Sequence, residues 1–124
     1  MKRILLIDDD DNIRKLVRFS LKSLGVECIE ATDGQEGFRT ALKELPDLIL
    51  LDLSMPNMNG FEACEKIKGN DKTAHIPIVV VSAEATDLNK QIVTGALKAD
   101  RFLPKPFERA NLVEIVQDIL GLDK

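Results

Sequence analysis

The chain has 124 residues, the size of one domain (1–124) with a real core. Its 44% hydrophobic and 31% charged residues are ordinary for a globular protein. A net charge of −4 and an isoelectric point near 5.0 exclude the broadly basic surface that binds nucleic acid or anionic membranes without specificity. No apolar run reaches membrane-spanning length, and Met1-Lys2-Arg3 leads into a short strand rather than a signal peptide. The expectation is a cytoplasmic protein without membrane insertion. Cys28 and Cys64 have no metal-ligand spacing and lie in apolar patterns, so they read as reduced core thiols.

In chain order, Lys2 to Ile7 reads as a first strand, ending in the acids Asp8, Asp9, Asp10 and Asp11. Ile13, Leu16, Val17, Ser20, Leu21 and Leu24 recur at helical spacing, and Gly25 stops that helix. Asp10 and Asp11 read as helix caps rather than ligands. Val26–Ala31 alternates in polarity, which marks an edge strand. Asp33-Gly34 opens a second helix with Phe38, Ala41, Leu42 and Leu45 inward, ended by Pro46. Asp47–Asp52 is the third strand, and a Pro- and Gly-bearing loop follows it. A third helix starts near Asn59 or Gly60 and buries Phe61, Cys64 and Ile67. Pro77–Ser82 is the fourth strand. A fourth helix is predicted over about 86–98, with Leu88, Ile92, Val93, Ala96 and Leu97 apolar. Asp100–Leu103 is a short fifth strand. The last helix turns Leu112, Ile115, Val116, Ile119 and Leu120 to the core, and Gly121 caps it. The tail Leu122-Asp123-Lys124 is too short for an output domain, and His75 reads as a surface residue.

Five strands alternating with five helices predict a (βα)5 doubly wound α/β fold. The wholly apolar strands one, three and four belong at the centre. Right-handed crossovers then give a parallel sheet of order 2-1-3-4-5. The winding reverses between strands one and three, so their carboxyl ends open a crevice together. Asp8 and Asp9 stand at one tip and Asp52 at the other. Three carboxylates this close need an intervening cation, and hard oxygen donors beside a phosphate suit magnesium. Ser82 ends strand four, Glu84 lies just beyond, and Lys105 follows strand five. Asp8, Asp9 and Asp52 are balanced in charge by one divalent cation and Lys105. Such a cage suits a dianionic group, and a carboxylate can serve as nucleophile to form an acyl phosphate.

The segments Ile4–Asp9, Leu51–Gly60, Val80–Ala83 and Lys105-Pro106-Phe107 resemble the receiver domain of two-component response regulators. The resemblance covers essentially the whole chain and implies the flavodoxin-like form of this fold. It implies that Asp52 is the phosphoacceptor, served by a histidine kinase or a histidine phosphotransfer protein. Asp9 directly, Asp8 largely through water, Asp52 and the Ser54 backbone carbonyl would hold magnesium, for which manganese could substitute. Lys105 would bind the phosphoryl oxygens, and the Lys105-Pro106 peptide would be cis. Ser82 and Phe102 would be the switch pair. Phosphorylation would draw in the Ser82 hydroxyl, let Phe102 turn inward and alter the face of helix four, strand five and helix five. A coupling of about 1–3 kcal/mol suffices for such a bias. That face, with Lys90, would receive a downstream protein; direct nucleic-acid binding is not expected. Three departures stand out: Ser82 where Thr is commoner, Phe102 where Tyr is frequent, and Asp10 and Asp11 extending the acidic run.

The resemblance thus implies a phosphoacceptor, not an enzyme in the turnover sense, beyond self-phosphorylation from small donors and self-dephosphorylation. Two other readings compete with a stand-alone receiver: a fragment of a longer regulator with an output domain, and an interaction module that works without phosphorylation. The last should have lost Asp9, Asp52 or Lys105, and all are present. A dehalogenase-type phosphatase wants a second Asp two residues after the nucleophile, where Ser54 stands. A nucleotide site would need a glycine-rich loop after strand one, which is absent.

Overall fold

Apolar runs four residues long cannot make helices of useful length, but they can make strands covered on both faces. The computed structural model describes residues 1–122 and shows this outcome. The elements are β1 (Arg3–Ile7), α1 (Asp11–Leu21), β2 (Glu27–Ala31), α2 (Gly34–Glu44), β3 (Leu48–Leu51), α3 (Gly60–Lys68), β4 (Ile78–Ser82), α4 (Asp87–Gln91), β5 (Arg101–Pro104) and α5 (Arg109–Leu120). All pairings are parallel, and the strand order is β2-β1-β3-β4-β5. The expected doubly wound architecture is therefore present. The tail residues Asp123 and Lys124 lie outside the described residues.

Side chains of β1, β3 and β4 alternate between two cores. Leu5, Ile7, Ile49, Leu51, Ile78 and Val80 pack with Ala41, Cys64 and Ile67 on the α2–α3 side. Ile4, Leu6, Leu48, Leu50, Val79 and Val81 pack with Val17, Leu21, Leu112 and Val116 on the α1–α5 side. The register aligns Ile7 with Leu51, so β1 and β3 end level. The Asp52 N–H donates to the Ile7 carbonyl (2.9 Å), which locks the two tips side by side.

Several local expectations need correction. Leu45 is 50% exposed rather than inward. It is the C-cap of α2 in the left-handed region (φ 46°), where the helix ends ahead of Pro46. Phe61 is half-buried, while Ala63 joins Cys64 and Ile67 in the core. The fourth helix does not run regularly to Lys98. Thr86 caps α4, which widens at Ile92–Ala96 into π-helical turns, and Lys98 leaves at φ 62°. The Thr94 hydroxyl donates to the Lys90 carbonyl (2.6 Å), and Gly95 lacks helix propensity; both weaken the regular ladder there. The Leu97 N–H then reaches back to Ile92 (2.9 Å). Leu88, in the regular first turn, is 65% exposed and Ala96 is exposed, while Val93 is buried.

Both cysteines are free. Cys64 is buried, its thiol donates to the Leu97 carbonyl (3.7 Å), and burial pushes its pKa up to about 11. At pH 8 about one Cys64 in a thousand is then thiolate. In native protein an aromatic disulfide reagent is expected to modify half-buried Cys28 first and to reach Cys64 only on unfolding in urea. Equal native rates, read by peptide mass, would contradict this placement.

Candidate functional site: a lysine-bridged acidic rim

The carboxyl ends of β1, β3, β4 and β5 meet at one rim. Asp8 and Asp52 are each 6% exposed, immediately beyond β1 and β3. Asp9, next in the chain, is exposed. One carboxylate oxygen from each of Asp8, Asp9 and Asp52 lies within 4.8 Å of the others. Lys105 bridges the buried pair: its Nζ is 2.7 Å from Asp8 Oδ2 and 3.6 Å from Asp52 Oδ2. Three carboxylates against one ammonium leave two negative charges uncompensated in the rim.

Local structure explains each position. Pro104 is in register with Ser82 but has no N–H to donate. The Lys105 N–H instead donates to the Ser82 carbonyl (3.0 Å), which ties the lysine to the end of β4. The Lys105-Pro106 peptide is cis. Asp8 Oδ1 accepts from the Asp10 N–H (2.9 Å), while Asp10 caps α1 through the N–H groups of Asn12 (2.9 Å) and Ile13 (3.3 Å). Asp52 Oδ1 accepts from the Leu53 N–H (2.8 Å). The Asp9 carboxylate takes no hydrogen bond or ion pair among the described residues. Burial pushes the Asp52 carboxyl above its ordinary range and Asp8 adds to this, while Lys105, the Ser82 hydroxyl and the Ser54 N–H oppose it.

Ser82 is fully buried, and its Oγ accepts from the Glu84 N–H (3.2 Å). Glu84 and Ser54 are exposed. Phe102, on β5, is half-buried against the core, with Lys90 Nζ 5.9 Å from its ring centroid. Asp8, Asp9, Asp52, Ser54, Ser82 and Lys105 thus share one rim, and Phe102 lies on the strand beside it. Met55 and Met58 pack against the core from the β3–α3 loop, and His75 is exposed.

Sequence reasoning missed two supports of the rim. The first is the start of α2. Asp33 Oδ1 accepts from the Glu36 N–H (2.8 Å) and Oδ2 from Asn57 Nδ2 (2.8 Å), while the Gly34 N–H donates to the Met58 carbonyl (3.0 Å). Asn57 has φ 64°, a conformation Asn tolerates. Asp33→Ala is expected to cost about 1 kcal/mol of stability in urea unfolding, the usual worth of a cap. It should also speed hydrogen exchange across the β3–α3 loop; unchanged exchange there would deny the bracing role. The second support is Arg14. Its signal was available: a cation in a buried stripe with Val17 and Leu21, at helical spacing.

Fold and rim together define the class: a doubly wound α/β protein with an acidic, lysine-bridged crevice where the winding reverses. The family model of the response regulator receiver domain matches residues 4–117. The chain is 36% identical over 120 residues to the DNA-binding dual master transcriptional regulator RpaA of Synechocystis, covering 97% of this chain and 49% of that protein. It is 34% identical to the phosphate regulon regulatory protein PhoB of Pseudomonas aeruginosa, covering 96% and 52%. The chain thus spans about half the length of these curated relatives. Among solved structures, chemotaxis protein CheY4 of Vibrio cholerae superposes with a TM-score of 0.88 at 32% identity, over 96% of this chain and 98% of that one. The receiver domain of sensor histidine kinase PA1611 of Pseudomonas aeruginosa, with a magnesium ion coordinated in its active site cleft, gives 0.87 at 28%, over 97% and 98%. The chain belongs to the response regulator receiver domain family. It is a signalling domain of two-component systems.

Proposed function

We propose that Asp52 is the phosphoacceptor of a His-to-Asp relay and that the rim is its transfer site. The observation that carries this is the Lys105 ammonium set between the Asp8 and Asp52 carboxylates, with exposed Asp9 beside them. The donor set fits a hard divalent cation: carboxylate oxygens only, clustered, with excess negative charge and one carboxylate lacking a protein donor. Asp9, Asp52, the Ser54 carbonyl and, through water, Asp8 would hold magnesium, or manganese in its place. When bound, the ion supplies charge neutralisation for phosphoryl oxygens.

An Asp52 carboxylate oxygen attacks the phosphorus of a phosphohistidine or of a small acyl phosphate. The new P–O bond makes a mixed anhydride as the P–N or P–O bond to the donor breaks, and the donor leaves with that electron pair. Lys105 stays protonated and pairs with the transferred group. Ser82, at the end of β4, is placed to donate its hydroxyl to a phosphoryl oxygen. Its withdrawal from the Glu84 N–H frees the start of the loop to α4, and Phe102 on adjoining β5 can turn inward. The α4–β5–α5 face, with Lys90 over Phe102, then presents a changed surface to a downstream protein or to an output segment of a longer regulator. The kinase or phosphotransfer protein meets the rim itself, in the cytoplasm.

Incubation with acetyl phosphate and Mg²⁺, followed by intact mass, tests this reading. One phosphoryl adduct is expected, absent when a chelator is present. No adduct, or an adduct indifferent to the chelator, would reject it.

A further inference from the structure

Behind the rim, on the α1 side, lies a buried cation that the transfer scheme leaves unused. Arg14 is buried, and its guanidinium serves three acceptors. One terminal nitrogen donates to the Asp8 carbonyl (2.7 Å), Nε to Glu30 Oε1 on β2 (2.8 Å), and the other terminal nitrogen to Asp11 Oδ1 (2.9 Å). Glu30 is held in turn by Arg18, 3.0 Å from its second oxygen. A buried guanidinium is costly unless its donors are filled, and here they are filled by groups from three segments.

We propose that Arg14 is a positioning residue for the metal-binding carboxylates, a role that rests on the phosphoacceptor reading of the rim. The argument is geometric. The Asp8 N–H donates to the Ala31 carbonyl (3.2 Å) and its C=O accepts from Arg14, so both peptide groups of Asp8 are fixed. The peptide joining Asp8 to Asp9 is planar, so the direction of the Asp8 carbonyl also sets the Asp9 nitrogen and Cα. Among the described residues the Asp9 side chain has no donor to aim it. Its direction therefore depends on its backbone, and Arg14 is the group that holds that backbone from behind. Glu30, on the edge strand, keeps the guanidinium plane turned toward the carbonyl. Lysine replaces this only in part, because one ammonium lacks the fork that reaches Asp8 and Glu30 together.

The test is Mg²⁺ titration by calorimetry on wild type, Arg14→Met and Glu30→Gln, with amide spectra of the metal-free proteins. Partners that orient metal ligands typically govern affinity by 10–100-fold, so Arg14→Met is expected to weaken Mg²⁺ binding by about tenfold. The amides of Asp9 and Asp10 should shift before any ion is added. Glu30→Gln keeps an acceptor oxygen and should retain most of the affinity. An Arg14→Met protein that is folded, binds Mg²⁺ like wild type and shows unmoved Asp9 and Asp10 amides overturns the proposal. If that variant does not fold, Arg14→Lys takes its place: a smaller loss of affinity in the same direction supports the role, and unchanged affinity overturns it. Wild type that binds no Mg²⁺ defeats the phosphoacceptor reading instead; the metal-free amide shifts still report on Arg14.

Discussion

Asp52→Asn is expected to take no phosphoryl group from acetyl phosphate and Mg²⁺, a complete loss of the adduct in intact mass. An amide oxygen is a poor nucleophile, and of the other two rim carboxylates Asp8 is held tightly by Lys105 (2.7 Å) and the Asp10 N–H (2.9 Å) while Asp9 is exposed. An adduct persisting in the variant would mean a different acceptor. The same substitution has a second signature in metal-free protein. Burial raises the folded-state pKa of Asp52, so the group adds stability when protonated, below the unfolded value near 3.8. That contribution is lost as pH rises through the higher folded pKa. Asp52→Asn is therefore expected to unfold at a higher temperature than wild type at neutral pH in a chelator, the gap closing as pH falls toward 4. A variant less stable than wild type at neutral pH would show that the carboxylate is better compensated than its burial implies.

Gly60→Ala is expected to be strongly destabilising. A Cβ at Gly60 would lie 2.1 Å from the Asp52 carbonyl oxygen and 2.5 Å from Leu53 Cα. Both are backbone atoms at the Asp52 corner, so relief requires moving the β3 tip or the start of α3. A cost of about 3 kcal/mol or more in urea unfolding follows, at the upper end for overpacking. Gly95→Ala is the control: nothing lies within 4 Å of its added Cβ, and its φ is not in the left-handed region. There a gain of about 0.5–1 kcal/mol is expected from the lost flexibility of glycine. Comparable effects at the two sites would contradict the close approach at Gly60.

The sheet and the rim were legible because each rests on a simple pattern. Ile4–Ile7, Leu48–Leu51 and Ile78–Val81 are apolar throughout, so they had to be central, and the central strands end in Asp8, Asp52 and Ser82. Strand order and handedness then bring those ends together. What was not legible depends on tertiary partners. Arg14 shares the helical spacing of Val17 and Leu21, but its partner Glu30 comes from β2, sixteen positions on. Asn57 reads as a loop residue until Asp33, 24 positions earlier, takes its amide. The irregular winding after α4 was hidden because Leu88, Ile92, Val93, Ala96 and Leu97 keep helical spacing; Thr94 and Gly95 redirect it without disturbing that pattern.

The two outermost strands have a bearing on colloidal behaviour. An open sheet offers unpaired backbone groups along each margin, where foreign strands can add and seed aggregates. Here one margin bears exposed Glu27, and the other is a strand of only four residues that starts at exposed Arg101 and finishes in a proline. Charge and brevity at these margins discourage growth of the sheet from chain to chain while the rim at the strand ends stays open.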